Sequence, residues 1–219
     1  LQLLARQYYQ MTSLLIKAKV DFNAICDQVL PGMQELMNDH AGRHKLSDFV
    51  LRYHHTTHIL EMGETRFRKD YCKWAEKKGY RNCERMAAHI FATAQNGIPV
   101  LPNAPSTQIV ITEAIRVLHT VEASRDAILT QMQALAKTLP EYSLVREMPC
   151  IGDTLAPRLI AEIGDVRRFH SKRALIAYAG IDAPPYQSGK FCANNRHISK
   201  RGNRYLRKTG YEVMQSYVM

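Results

Sequence analysis

Two side-chain hydroxyls, Tyr186 and Ser188, stand in the segment P-P-Y-Q-S-G at residues 184–189, and an oxygen nucleophile is the first chemistry they suggest. Pro184, Pro185 and Gly189 restrict the backbone around them, a setting that can present Ser188 at a surface. Lys190 and Arg196 follow closely enough in sequence to lower the cost of an alkoxide or to stabilise a pentavalent phosphate. Tyr186 is the rival nucleophile. On residue types alone a Ser-Gly pair is also an ordinary turn, so a structural reading stands beside the catalytic one.

The charge around these hydroxyls narrows the substrate. From Val166 to Lys208 there are eleven Lys/Arg (Arg167, Arg168, Lys172, Arg173, Lys190, Arg196, Lys200, Arg201, Arg204, Arg207 and Lys208) against one acid, Asp182. The whole chain carries +10, so the rest of it sums to zero. Excess charge confined to one segment of a neutral scaffold is the footprint of a polyanion, and nucleic acid is the leading partner. Asn203 and Tyr186 lie within the same run and join the candidate contacts.

The elements that must position these residues read as mainly α. Leu4, Tyr8, Met11, Leu15, Ala18, Phe22, Ile25 and Val29 are spaced alternately by four and three, a heptad seam that Pro31-Gly32 ends. Residues 33–47 read as a connection. Shorter helical pieces follow to about Gln95, with Gly63, Gly79 and Gly97 at their stops. Asn96 to Ser106 holds three prolines and reads as a linker, and a second long helix follows from about Thr107 to Leu139, with Glu122 and Arg125 interrupting its seam. The expected organisation is a heptad helix over 1–32, a small helical subdomain and linker over 33–106, a second coiled-coil helix over 107–140, and a C-terminal domain over 141–219. Long seams of this kind suit an antiparallel stalk within one chain or a homo-oligomer through coiled coils.

In the last of these segments, Met148-Pro149-Cys150-Ile151-Gly152 precedes a helix that Asp153 or Thr154 caps and Gly164 stops; Ser171 caps the next, over Lys172–Ala179, which Gly180 ends. Helix, tight glycine-containing turn, helix is the logic of a helix-hairpin-helix phosphate binder, with Gly152 at its backbone contact. Such hairpins carry two glycines, and Cys150 stands where the first belongs.

The remaining features mostly exclude. No run of about 18 apolar residues is present, so no membrane partner is expected. Five scattered cysteines without a C-x-x-C pair favour reduced thiols and a cytoplasmic setting. His54, His55 and His58 lack an acid or cysteine at a useful spacing, and are expected to be a solvated or nucleic-acid-facing cluster with no metal. Helical periodicity already runs at Leu1, which points to a fragment or processed chain.

The succession M-P-C-I-G-D-T-L-A-P-R-L-I-A-E-I-G-D-V-R-R-F-H-S-K-R-A-L-I-A-Y-A-G-I-D-A-P-P-Y-Q-S-G, followed by I-S-K-R-G-N-R-Y-L-R-K, resembles the C-terminal domain of the IS110 family of DEDD transposases, described as bridge-RNA-guided recombinases. The resemblance covers Met148 to about Tyr211, and the two long helices look like that family's coiled-coil region. It implies a DNA transposase of an insertion sequence in which Ser188 attacks a DNA phosphate to give a phosphoserine link. It implies DNA and a structured guide RNA as partners, and magnesium held by four acidic residues of a RuvC-like N-terminal domain. No equivalent of that acidic domain is found in this sequence, so the chain alone is expected to bind nucleic acid without recombining it. Two other readings remain: a non-catalytic helix-hairpin-helix DNA-binding module, and a helical assembly protein in which the seams do the work.

Overall fold

A computed structural model describes residues 1–37, 44–81, 83–183, 187–188, 191–192 and 197–218, with the two short strands described at the backbone level. The chain is mainly α. It divides into two compact units, one made of Leu1–Thr12 with Ala123–Met219 and the other of Ser13–Glu122. Two long helices, α1 (Gln2–Val29) and α7 (Pro105–Lys137), each contribute to both. The division in α7 falls beside Glu122, where the sequence breaks the apolar seam.

Within the unit Ser13–Glu122, the seam residues Leu15, Phe22 and Val29 are buried in one core with Ile111, Ile115 and Leu118. Both seams are therefore occupied inside the chain here. The core is filled by α2 (Met33–Met37), α3 (Lys45–Tyr53), α4 (Thr56–Met62), α5 (Glu64–Lys78) and α6 (Cys83–Asn96). The segment after Pro31 was expected to be a connection, yet it forms α2, because Met33 and Met37 can bury on one side of a single turn. An aromatic cluster of Phe49, Tyr53, Phe67, Tyr71 and Trp74 sits at the centre, with Tyr53 and Phe67 ring centroids 5.2 Å apart. Each such side chain contributes about 1.5–3 kcal/mol on burial.

Glycine stops fall where the helical pieces were expected to end: Gly63 and Gly79 follow α4 and α5 with positive φ, since the left-handed cap carries a steric cost for any side chain. Pro105 begins α7, where its missing N–H costs nothing. The histidines differ from expectation. His55 is 3% exposed and caps α4, accepting from the Thr57 N–H on Nδ1 while Nε2 meets the Leu101 carbonyl at 2.9 Å. His58 Nδ1 contacts the Tyr53 carbonyl, and His54 stacks on His58 with its pKa lowered by burial and then by its histidine neighbours.

The other unit joins the beginning of α1 and the end of α7 to α8 (Glu141–Arg146), α9 (Leu155–Ile163), a 3-10 turn at Val166–Arg168, α10 (Lys172–Ala179), strands β1 (Gln187–Ser188) and β2 (Phe191–Cys192), and α11 (Arg204–Val218). Ala5, Met132 and Ala161 are its buried apolar contact, flanked by Leu1, Leu4, Tyr8 and Leu129. No helix among the described residues is long and apolar enough to cross a membrane.

Candidate functional site

The C-terminal elements are held around one buried carboxylate. Glu162, on α9, is 2% exposed and accepts from Gln2 Nε2 at 3.2 Å, from Arg6 Nε at 3.2 Å and from Asn203 Nδ2 at 2.7 Å. The other end of the Asn203 amide caps α11, its Oδ1 accepting from the N–H groups of Tyr205 and Leu206. Asn203 was expected among the nucleic-acid contacts, but both ends of its side chain are spent inside this unit. Its amide also donates to the Tyr178 hydroxyl at 3.2 Å, which holds that phenol below its ordinary pKa against the effect of burial. Removing the acceptor takes the carboxylate partner from the part-buried Asn203 amide, while the exposed Arg6 guanidinium turns to water. Glu162→Ala is expected to destabilise this unit by about 2–3 kcal/mol, read as a lower urea midpoint; an unchanged midpoint would show that the network is dispensable.

Two glycines bring α10 and the S-K-R-G-N loop into backbone contact. A Cβ on Gly202 would lie 2.1 Å from the Tyr178 carbonyl oxygen, and one on Gly180 would lie 2.6 Å from the Gly202 nitrogen. Gly180 also takes the left-handed conformation that ends α10, at φ 67°. Main-chain bonds fasten this junction: Asn203 N–H to the Tyr178 carbonyl, Lys200 N–H to the Gly180 carbonyl and Ser199 N–H to the Asp182 carbonyl. The Ser199 hydroxyl donates to the Asp182 carboxylate as well.

The candidate nucleophile lies in the sequence between these fastened residues. Of the residues between Asp182 and Ser199, Gln187 pairs with Cys192 and Ser188 with Phe191, antiparallel. Ser188 is thus the last residue of β1. Tyr186, Lys190, Arg196 and the side chain of Ser188 lie outside the described residues.

Most of the expected cations surround the junction at the surface. Lys172 and Arg173 are exposed in the first turn of α10, which Ser171 caps by accepting from the Ala174 N–H. Arg204 opens α11 in the same manner, preceded by exposed Lys200 and Arg201. Neither helix has an acid in its first turn. Cations at a helix N-terminus oppose the macrodipole, so both ends present a positive field that an anion would relieve. Arg168 lies over the rings of Phe169 and Tyr178, 4.6 and 4.5 Å from their centroids, and Arg204 stacks on Tyr205. Arg167 is partly neutralised by Asp165, and Arg207 donates to the Ala179 carbonyl at 2.9 Å. Lys200 has φ 55°, a strained conformation for a side-chain-bearing residue.

Residues 142–219 match the model of the family described as Transposase IS116/IS110/IS902 family. Over this segment the chain is similar to that family's transposase domain. An insertion element IS110 uncharacterized 43.6 kDa protein of Streptomyces coelicolor is 24% identical over 181 residues, which are 83% of this chain and 44% of that protein. A transposase for insertion sequence element IS1111A of Coxiella burnetii is 33% identical over 81 residues, 35% of this chain and 21% of that protein. The chain thus spans less than half the length of the curated relatives it matches. No solved structure matches it.

At the start of the family-matching segment, the turn from α8 to α9 differs from the expected capping. Neither Asp153 nor Thr154 caps α9 with its side chain: Asp153 accepts from the Tyr142 hydroxyl at 2.8 Å and pairs with Arg146 at 2.9 Å. The Gly152 carbonyl opens the helix instead, accepting from the Leu155 and Ala156 N–H groups, and Gly152 itself is exposed. Cys150 has φ 63°, so it holds the glycine conformation of such a turn despite carrying a side chain. That strain costs about 1–2 kcal/mol, of which glycine's greater unfolded entropy would return part. Cys150→Gly is expected to raise domain stability by about 1 kcal/mol in chemical denaturation; a decrease would mean the thiol's packing outweighs the strain.

Sequence reasoning assigned no element to the residues of α11 (Arg204–Val218), and it missed the Gln2, Arg6 and Glu162 network. A signal for the helix was present: Asn203 as cap, then Leu206, Thr209 and Val213 at helical spacing. Nothing in the sequence pairs Gln2 or Arg6 with a glutamate some 160 positions away.

Proposed function

We propose that this chain is the coiled-coil and C-terminal part of an insertion-sequence transposase whose Ser188 is the nucleophile toward DNA. What supports the reading most is that the Y-x-S-G sequence falls in the family-matching segment, between α10 and the S-K-R-G-N loop in chain order. The exposed cations Arg168, Lys172, Arg173, Lys200, Arg201 and Arg204 supply phosphate contacts, with Lys190 and Arg196 assigned to the reacting phosphate. In the step, Ser188 Oγ forms a bond to phosphorus and a DNA P–O bond breaks. The serine proton passes to a base, the departing DNA oxygen takes up a proton, and the phosphoester keeps the linkage available for rejoining.

A structured guide RNA is proposed as a further partner, and the active species as a homo-oligomer. Among the described residues no three His, Cys, Asp or Glu come together as metal ligands. The test is to trap a covalent adduct between the full-length protein and its element DNA and map the linked peptide. A phosphodiester on Ser188 is expected; an adduct on Tyr186, or no adduct during productive recombination, would overturn the assignment.

A further inference from the structure

The net charge of zero outside residues 166–208 conceals a second basic surface. From Arg66 to Arg85 there are eight Lys/Arg against three acids, all on α5, the following turn and the start of α6. On α5, Arg66, Lys69, Lys73 and Lys77 recur at steps of three, four and four, which places them on one stripe of the helix. All four are exposed, and Phe67, Tyr71, Trp74 and Ala75 bury the opposite face. At about 1.5 Å per residue the stripe runs about 16 Å.

Asp70, Glu64 and Asp48 are held by cations outside the stripe, while Glu76 and Glu84 stay beside Lys69 and Lys73 and leave the segment with a net excess of five positive charges. Asp70, four residues from Arg66, is held by Arg52 at 2.8 Å and by the Tyr53 hydroxyl. Glu64 pairs with Arg68, and Asp48 takes Lys78 at 2.9 Å. Among the described residues none of the four stripe cations has an ion pair. A groove of about 720 Å³, lined by Lys69, Lys73, Glu76 and Glu84 among others, bounds the row on one edge. A helix face that served only solubility would gain by alternating signs, whereas Lys69, Lys73 and Lys77 place like charges at two successive i,i+4 steps, which weakens a helix. The cost is recovered when a polyanion lies along the row, since a duplex offers one negative charge per ~1.7 Å of its axis.

We infer that the α5 stripe is a second nucleic-acid backbone site, in the unit Ser13–Glu122, contacting phosphates without reading bases. The inference stands on this unit's own residues and does not require Ser188 to be the nucleophile.

The experiment measures binding of the chain to a fluorescein-labelled 30-base-pair duplex and to a labelled RNA hairpin across a salt series. A variant carrying R66Q, K69Q, K73Q and K77Q is expected to reduce the slope of log K against log salt by about 3 on the nucleic acid that uses this face. Glutamine keeps the helix propensity, and unchanged circular dichroism checks the fold. A control with R68Q and K78Q, charges already paired, is expected to change the slope by less than 1. The duplex and RNA arms identify which polymer the face holds. Unchanged slopes in both arms, while K200Q with R201Q and R204Q abolishes binding, would overturn the α5 site and leave the C-terminal interface standing; no binding by the parent chain to either probe would overturn both.

Discussion

Replacing Ser188 by alanine in the full-length protein is expected to lower recombination by on the order of 10⁴-fold or more and to remove the covalent adduct, while DNA affinity changes little. The size follows from the role. A nucleophile's oxygen makes the bond that the reaction depends on. The small effect on affinity is expected because the proposed phosphate contacts, Lys172, Arg173, Lys200, Arg201 and Arg204, belong to α10, α11 and the loop before it rather than to β1. Alanine suits a strand position whose pairing with Phe191 is made by the main chain. Tyr186→Phe is the companion variant and is expected to keep the adduct. Retained adduct in Ser188→Ala would place the chemistry elsewhere and leave this segment a binding element.

Gly202→Ala is expected to destabilise the family-matching segment by about 3–5 kcal/mol, among the largest effects of any single methyl group in this chain. The added Cβ would lie 2.1 Å from the Tyr178 oxygen, 2.5 Å from the Gly180 nitrogen and 2.7 Å from the Ala177 oxygen. All three are main-chain atoms, so no rotamer change relieves the overlap, and α10 and the loop must separate. Separation breaks the Asn203-to-Tyr178 main-chain bond and pulls the Asn203 side chain from Glu162. The main-chain bonds from Lys200 to Gly180 and from Ser199 to Asp182 would loosen with it. At this chain length such a loss lowers Tm by roughly 10 °C. Gly152→Ala is the control, because a Cβ there meets nothing within 4 Å. Equal melting of Gly202→Ala and the parent would refute the packing at this junction.

Most local features were readable because they depend on neighbours in sequence. Apolar spacing marked α1 and α7; Gly63, Gly79, Gly164 and Gly180 marked helix ends; Ser171 marked the start of α10. The exceptions are instructive. Asp153 follows the capping pattern, yet Tyr142 and Arg146 claim its carboxylate, because a charged partner from the preceding helix competes with the backbone of the next. His55 looks solvent-bound beside two other histidines, yet its ring fills a buried place between Thr57 and Leu101.

Sequence by itself determined the helical class, the helix stops, the concentration of positive charge over residues 166–208 and the family resemblance of the C-terminal segment, since each rests on residue type and short spacing. Tertiary structure alone decided that the α1 and α7 seams are buried within the chain, that Asn203 serves Glu162 and α11, and that Gly180 and Gly202 meet backbone to backbone. It also decided that four cations of α5 share an exposed face. The physical reason is common to all of these: burial, hydrogen-bond partners and close approach are set by what lies opposite a residue in space, and sequence distance carries no record of it.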